Sequence, residues 1–89
     1  MGYYDGEMSS SLHSNHYQIF RSLLIEARER AGLTQVQVAE LLEKPQSFVS
    51  KYERGERRLD FTEFLEVSAH LKIDVHAFIK TYRSKTSAK

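Results

Sequence analysis

The stretch PQSFVSKYER, residues 45–54, carries the side chains best suited to chemistry with another molecule. At helical spacing it turns Phe48, Val49 and Tyr52 to one side and leaves Gln46, Ser47, Ser50, Lys51 and Arg54 on the other. The outward set is an amide, two hydroxyls, an ammonium and a guanidinium, with Glu53 the one carboxylate in the stretch. An amide donates and accepts at once, a hydroxyl does either, and the two cations only donate. That inventory matches base edges and phosphate oxygens. It does not match catalysis. The chain has no nucleophile beside a local base, no glycine-rich phosphate loop, no carboxylate pair for acid–base work and no metal constellation. His13 and His16 stand three apart with no third ligand near, and His70 and His76 lack helical metal spacing. No enzyme activity, metal or cofactor is expected.

Four further helices are needed to hold that stretch. Pro45 suits a first helical position, where its missing N–H has no partner to lose, and Gly55 supplies a left-handed stop. Just upstream, Thr34 and Gln37 stand at capping-box spacing, and Leu33 with Val38 forms the matching hydrophobic staple. The helix they open, over 35–42, buries Val38, Ala39 and Leu42. A first helix over 16–31 is capped by Asn15, carries the apolar stripe Phe20, Leu23, Leu24, Ala27 and Ala31, and ends at Gly32. Leu33 can fold back on that end in a Schellman motif. Asp60 with Glu63 boxes a fourth helix over 61–71, whose expected inner face is Phe61, Phe64, Leu65, Ser68 and Leu71. Asp74 caps a fifth over 74–82, with Ile73 and Phe78 as its staple. Val75, Phe78, Ile79 and Tyr82 are more apolar side chains than a short last helix needs, so Val75, Ile79 and Tyr82 are candidate contacts to a second subunit.

This makes an all-α, five-helix domain over residues 15–82, with a flexible arm at 1–14 and a basic tail at 83–89. Eighty-nine residues suffice for one small core. There is no cysteine, so no disulfide and no thiolate site. No apolar run approaches the ~18 residues of a membrane span, and the expectation is a cytoplasmic protein with no membrane partner. The net charge of +1 says little, but its distribution says more. Lys44, Lys51, Arg54, Arg57 and Arg58 against Glu53 and Glu56 give residues 44–58 a local +3. Lys80, Arg83, Lys85 and Lys89 give residues 80–89 a local +4, while the remainder of the chain is acidic. Charge is gathered where a polyanion would be met.

Residues 33–55, LTQVQVAELLEKPQSFVSKYERG, and the run PQSFVSKYERGERRLD resemble the helix-turn-helix of the phage repressor and Cro family, the Xre regulators. The resemblance covers residues 17–78 and is most specific over 34–60. It implies a compact lambda-repressor-like DNA-binding domain and a sequence-specific transcriptional regulator, a repressor or autoregulator, that places the helix at 45–54 in the major groove. It also implies roles. Gln46, Ser47, Ser50 and Lys51 would contact bases, and Gln35, Arg54, Arg57 and Arg58 would hold phosphates. Arg28 and Glu53 occupy the positions of a buried structural ion pair in this family. Glu43 stands where many members have a glycine in left-handed conformation, and it sets a negative charge near the DNA. The partners implied are a double-stranded operator and, because one small module rarely binds tightly alone, a second copy of the chain. An antitoxin with a toxin partner and a restriction–modification controller share these features. A protein-interaction module that kept the fold without reading DNA is the rival of another class, and the polar, basic outer face of 46–54 speaks against it.

Overall fold

The computed structural model describes residues 15–87. The order is α1 (Asn15–Arg30), α2 (Gln35–Leu42), α3 (Gln46–Arg54), α4 (Phe61–Leu71) and α5 (Val75–Ser87). The expected arm at 1–14, with His13, and residues 88–89 lie outside the described residues. No helix among the described residues is long and apolar enough to cross a membrane.

The turns are set by local chemistry. Thr34 Oγ1 accepts from the Gln37 backbone N–H at 3.1 Å while Gln37 Oε1 accepts from the Thr34 N–H at 2.9 Å, a closed capping box. Asp60 and Glu63 do the same at the start of α4, at 2.8 and 3.0 Å. Asp74 Oδ1 accepts from the Ala77 N–H at 3.1 Å and so starts α5. Such caps satisfy N–H groups that a helix leaves without partners.

Each of α1 to α4 ends on a left-handed residue: Gly32, Glu43, Gly55 and Lys72. In every case the following N–H reaches back to a carbonyl five residues earlier, as Leu33 does to Arg28 at 3.2 Å and Lys44 does to Ala39 at 3.0 Å. This is the Schellman closure. Two of the four are not glycine, with φ of 57° at Glu43 and 58° at Lys72.

Four expectations need adjustment. Asn15 lies inside α1 rather than before it, and the helix closes at Arg30, leaving Ala31 exposed. Pro45 is the N-cap of α3, with φ −65° and ψ 154°, not its first helical residue. Its carbonyl still accepts the Phe48 N–H at 3.0 Å, so the proline sets the entry of the chain without joining the helix. On α4, Phe61 and Leu65 face outward, Phe61 at 66% exposure, and Val67 is buried in their place. The stripe Phe64, Val67, Ser68, Leu71 follows the i, i+3, i+4, i+7 spacing of one helix face, which Phe61 and Leu65 leave on its flank. Finally, α5 continues past Tyr82 to Ser87. No glycine or proline interrupts it, and Thr86 Oγ1 donates back to the Tyr82 carbonyl at 2.9 Å.

The core is Leu24, Val38, Ala39, Leu42, Val49, Tyr52, Phe64, Val67 and Leu71, drawn from α1 to α4. Phe20, Phe64 and Phe78 meet with ring centroids 5.0 to 5.9 Å apart and pin α5 to the rest. The three rings pack as core, tilted or edge-on as aromatic quadrupoles prefer.

Candidate nucleic-acid interface

α2 and α3 pack as two short helices joined by Glu43, Lys44 and Pro45. Burial of Val49 and Tyr52 fixes the rotation of α3 about its axis. That leaves Gln46, Ser47, Lys51 and Arg54 exposed on one face, with Ser50 half-buried. The Ser50 hydroxyl donates to the Ser47 carbonyl at 3.3 Å.

Behind this face lies a buried carboxylate. Glu53 is 5% exposed. It receives Arg28 Nε at 2.7 Å, Arg28 Nη2 at 3.1 Å and Gln35 Nε2 at 2.8 Å. Arg28 Nη1 donates to the Leu33 carbonyl at 2.9 Å, tying the pair to the α1–α2 turn. The Glu53 hydrogen bond raises the guanidinium pKa of Arg28 above its ordinary value, against the effect of burial. Gln46 Nε2 then donates to Gln35 Oε1 at 3.3 Å. A continuous chain, Arg28–Glu53–Gln35–Gln46, thus runs from α1 through the end of α3 and α2 to the start of α3. Every buried charge in it is paired and hydrogen-bonded, which a buried carboxylate requires.

The cations group differently. Arg54 Nε and Nη2 donate to Glu56 at 2.9 and 3.0 Å in a pair whose members are 55% and 54% exposed. That fork lowers the Glu56 carboxyl below its usual range. Arg57 Nη1 and Nη2 donate to the two Glu63 oxygens at 3.0 and 2.7 Å, holding the Glu63 carboxyl down at about 2. The Arg57 guanidinium also lies 4.7 Å from the centroid of the Phe48 ring, and Lys44 Nζ lies 5.4 Å from it. Arg58 sits 5.2 Å over the Tyr17 ring. Of the subunit-contact candidates, Ile79 is exposed, Tyr82 is half-buried beside His16, and Val75 packs against the core.

Two participants, Arg21 and Tyr17, escape the sequence reading. Arg21 Nη1 donates to the Glu53 backbone carbonyl at 2.7 Å, a cation at the C-terminal end of α3 where the helix dipole favours one. Its spacing of seven from Arg28 puts both on one face of α1, and that was the available signal. Gly55 has φ 80°, and a Cβ there would stand 3.0 Å from Arg21 Nε, so the glycine serves both the turn and the close approach. Tyr17, buried, donates its hydroxyl to the Arg57 carbonyl at 3.1 Å. Glu63 was legible only as a cap. Among the described residues no three histidine or acidic side chains are grouped to hold a metal ion.

This tight two-helix unit, with a polar second helix held outward over a core, defines a helix-turn-helix protein. A helix-turn-helix family model matches residues 24–78. The structure of an XRE-family like protein from Pseudomonas syringae pv. tomato str. DC3000 is 40% identical, covers 89% of this chain and 96% of its own, and superposes with a TM-score of 0.78. The chain belongs to the XRE-type helix-turn-helix family of DNA-binding regulators. No curated protein matches it.

Proposed function

We propose that the protein is a sequence-specific transcriptional regulator, a repressor or autoregulator, acting in the cytoplasm on a double-stranded operator. α3 enters the major groove and α2 crosses the backbone above it. Gln46, Ser47, Ser50 and Lys51 meet base edges, Gln46 by the two-point amide contact that suits adenine and Lys51 as a donor to guanine. Gln35, at the N-terminus of α2, and the exposed Arg54 and Arg58 hold phosphates. The observation that carries this reading is the hydrogen-bonded chain from buried Glu53 through Gln35 to Gln46, because it pre-orients an exposed amide on an otherwise polar face.

The working unit is a homodimer. One domain of this size buries too little surface for tight specific binding, and a second copy on a twofold operator supplies the rest. Phe61, Ile79 and Tyr82 line one cleft of about 350 Å³ with His16 and Phe20, and Leu65 is exposed one turn from Phe61. That apolar edge, backed by Val75, is the face on which the copies meet.

The test is fluorescence anisotropy with DNA from upstream of the protein's own gene and a scrambled duplex, at two salt concentrations. A preference of ~10³-fold or more establishes an autoregulating reader. Equal, steeply salt-dependent binding to both leaves only a basic surface. No binding at low salt sinks the proposal.

A further inference from the structure

On the DNA side, Arg57 in the loop after α3 is bonded to several parts of the fold at once. Its Nη1 donates both to Glu63 Oε1 and to the Arg58 carbonyl, each at 3.0 Å, and its Nη2 donates to Glu63 Oε2 at 2.7 Å. One face of the guanidinium covers Phe48 at 4.7 Å. Its backbone N–H donates to the Lys51 carbonyl at 3.3 Å, and its own carbonyl accepts the Tyr17 hydroxyl at 3.1 Å. Residue 57 therefore ties α1, α3 and α4 together at one point.

We infer that Arg57 is a positioning residue rather than a phosphate ligand: clamped by Glu63 and laid on Phe48, it sets the angle at which α3 presents Gln46, Ser47 and Lys51. The inference rests on the reading of α3 as the helix in the groove.

Three arguments support it. First, reaching a phosphate would exchange one bidentate charge-assisted pair for another of the same kind, with no bond gained. It would also leave Glu63 as an unpaired anion beside the DNA, and Glu63 cannot swing away because its Oε1 accepts the Asp60 N–H at 3.0 Å. Second, the neighbouring Arg54–Glu56 pair is exposed, two residues apart and, among the described residues, without an aromatic platform, so it opens at little cost. The phosphate-binding charge belongs to residues of that kind. Third, Phe48 is the next residue to Ser47, and its ring is held by Arg57, by Lys44 at 5.4 Å and edge-on by Tyr52 at 5.6 Å. Removing Arg57 uncovers one side of the ring and lets α3 rock. Base contacts depend on such angles, while phosphate contacts on a random duplex do not.

The experiment uses a duplex enriched from a random-sequence library by the wild-type protein, and a scrambled duplex of equal composition. Dissociation constants are measured over a range of NaCl for wild type, Arg57→Ala, Arg57→Lys and Glu63→Gln. Gln at 63 keeps the capping box and removes the charge, so it opens the clamp without unfolding α4. The expected result is ~10-fold weaker binding of Arg57→Ala to the enriched duplex, unchanged binding to the scrambled one, and an unchanged salt slope. Glu63→Gln should lose selectivity in the same sense, and Arg57→Lys should not rescue it, since an ammonium cannot fork and stack. Equal weakening on both duplexes with a slope lower by ~0.9 would mark a phosphate contact and overturn the inference. So would tighter, more salt-sensitive binding by Glu63→Gln, which would mean the carboxylate had been masking Arg57. If the wild-type protein enriches no sequence, the groove reading fails and takes the clamp's role with it. That outcome is distinct from one in which wild type and Arg57→Ala select equally well.

Discussion

Gln46 donates its Nε2 to Gln35 Oε1 at 3.3 Å, linking the first residue of α3 to the first residue of α2. Gln35 spends its own Nε2 on Glu53 at 2.8 Å, so its oxygen is turned toward Gln46 and cannot rotate away without abandoning a buried carboxylate. The orientation of the Gln46 amide is thereby inherited from the core. Its second N–H and its oxygen are the groups that the proposed adenine contact would use. Gln46→Ala should lose discrimination at one position of each half-site, worth ~1–3 kcal/mol, with the other positions unchanged. Gln35→Ala should blur the same position, because the amide it orients is then free to turn. Selection from a randomised operator, position by position, reads both. An unchanged preference in Gln46→Ala would remove that residue from the base-contact set.

The Arg28–Glu53 pair makes a prediction about folding. Truncating either partner to Ala leaves the other charge buried without compensation, which costs ~3–5 kcal/mol. The Glu53 truncation should be the worse of the two, since it also strips the Gln35 amide of its acceptor. The double change Arg28→Met with Glu53→Leu should cost much less than the sum, because no uncompensated charge is left. Urea denaturation followed by circular dichroism measures all three. Additive losses would mean that the two groups do not act as a pair.

The parts of this molecule that the sequence made legible are those settled by residues close together in the chain. The Thr34–Gln37 and Asp60–Glu63 boxes, the Gly32 and Gly55 stops and the inner faces of α2 and α3 each depend on neighbours within one or two turns. What stayed hidden spans helices. Tyr17 and Arg57 are forty residues apart, and nothing in the local pattern of either names the other. Arg21 and Glu53 meet only because α1 crosses the end of α3. Glu63 was accounted for by its cap, which concealed that the same carboxylate also holds Arg57. The extension of α5 was missed because SKT reads as polar coil when the backbone is judged by composition alone. A left-handed lysine such as Lys72 has no local signature in the sequence, whereas the left-handed position of Glu43 follows from the family resemblance.

Acid should test the Glu63 clamp from another side. The Glu63 carboxyl lies at about 2 in the folded protein, below its ordinary value of 4.5, chiefly because of the Arg57 fork and then the Asp60 N–H. A depressed folded value means that the folded state binds this proton less readily than the unfolded chain does. Its contribution to stability is therefore complete above about pH 4.5 and is lost as the pH falls toward 2. Glu63→Gln should melt at a lower temperature than wild type at pH 6, and the difference should shrink as both are taken to pH 2. Parallel melting curves across that window would show that the carboxylate contributes nothing beyond its cap.

The two left-handed side chains, Glu43 and Lys72, allow strain to be separated from charge. Glu43 and Lys72 hold φ near 57° and 58°, where a Cβ crowds the following carbonyl at a cost on the order of 1 kcal/mol. Glycine removes that crowding and gives back part of the gain as unfolded-state entropy. Glu43→Gly and Lys72→Gly should each stabilise the protein by ~0.5–1 kcal/mol, whereas alanine, which keeps the Cβ, should not. Glu43 lies exposed in the turn between α2 and α3, so its charge is a separate matter. Glu43→Gln retains the strain and removes the negative charge. It should leave the melting temperature alone and tighten DNA binding at low salt, with the advantage fading as salt is raised. Glu43→Gly should show both effects together. If glycine tightened binding and glutamine did not, the turn's geometry rather than its charge would be limiting how α3 meets the groove.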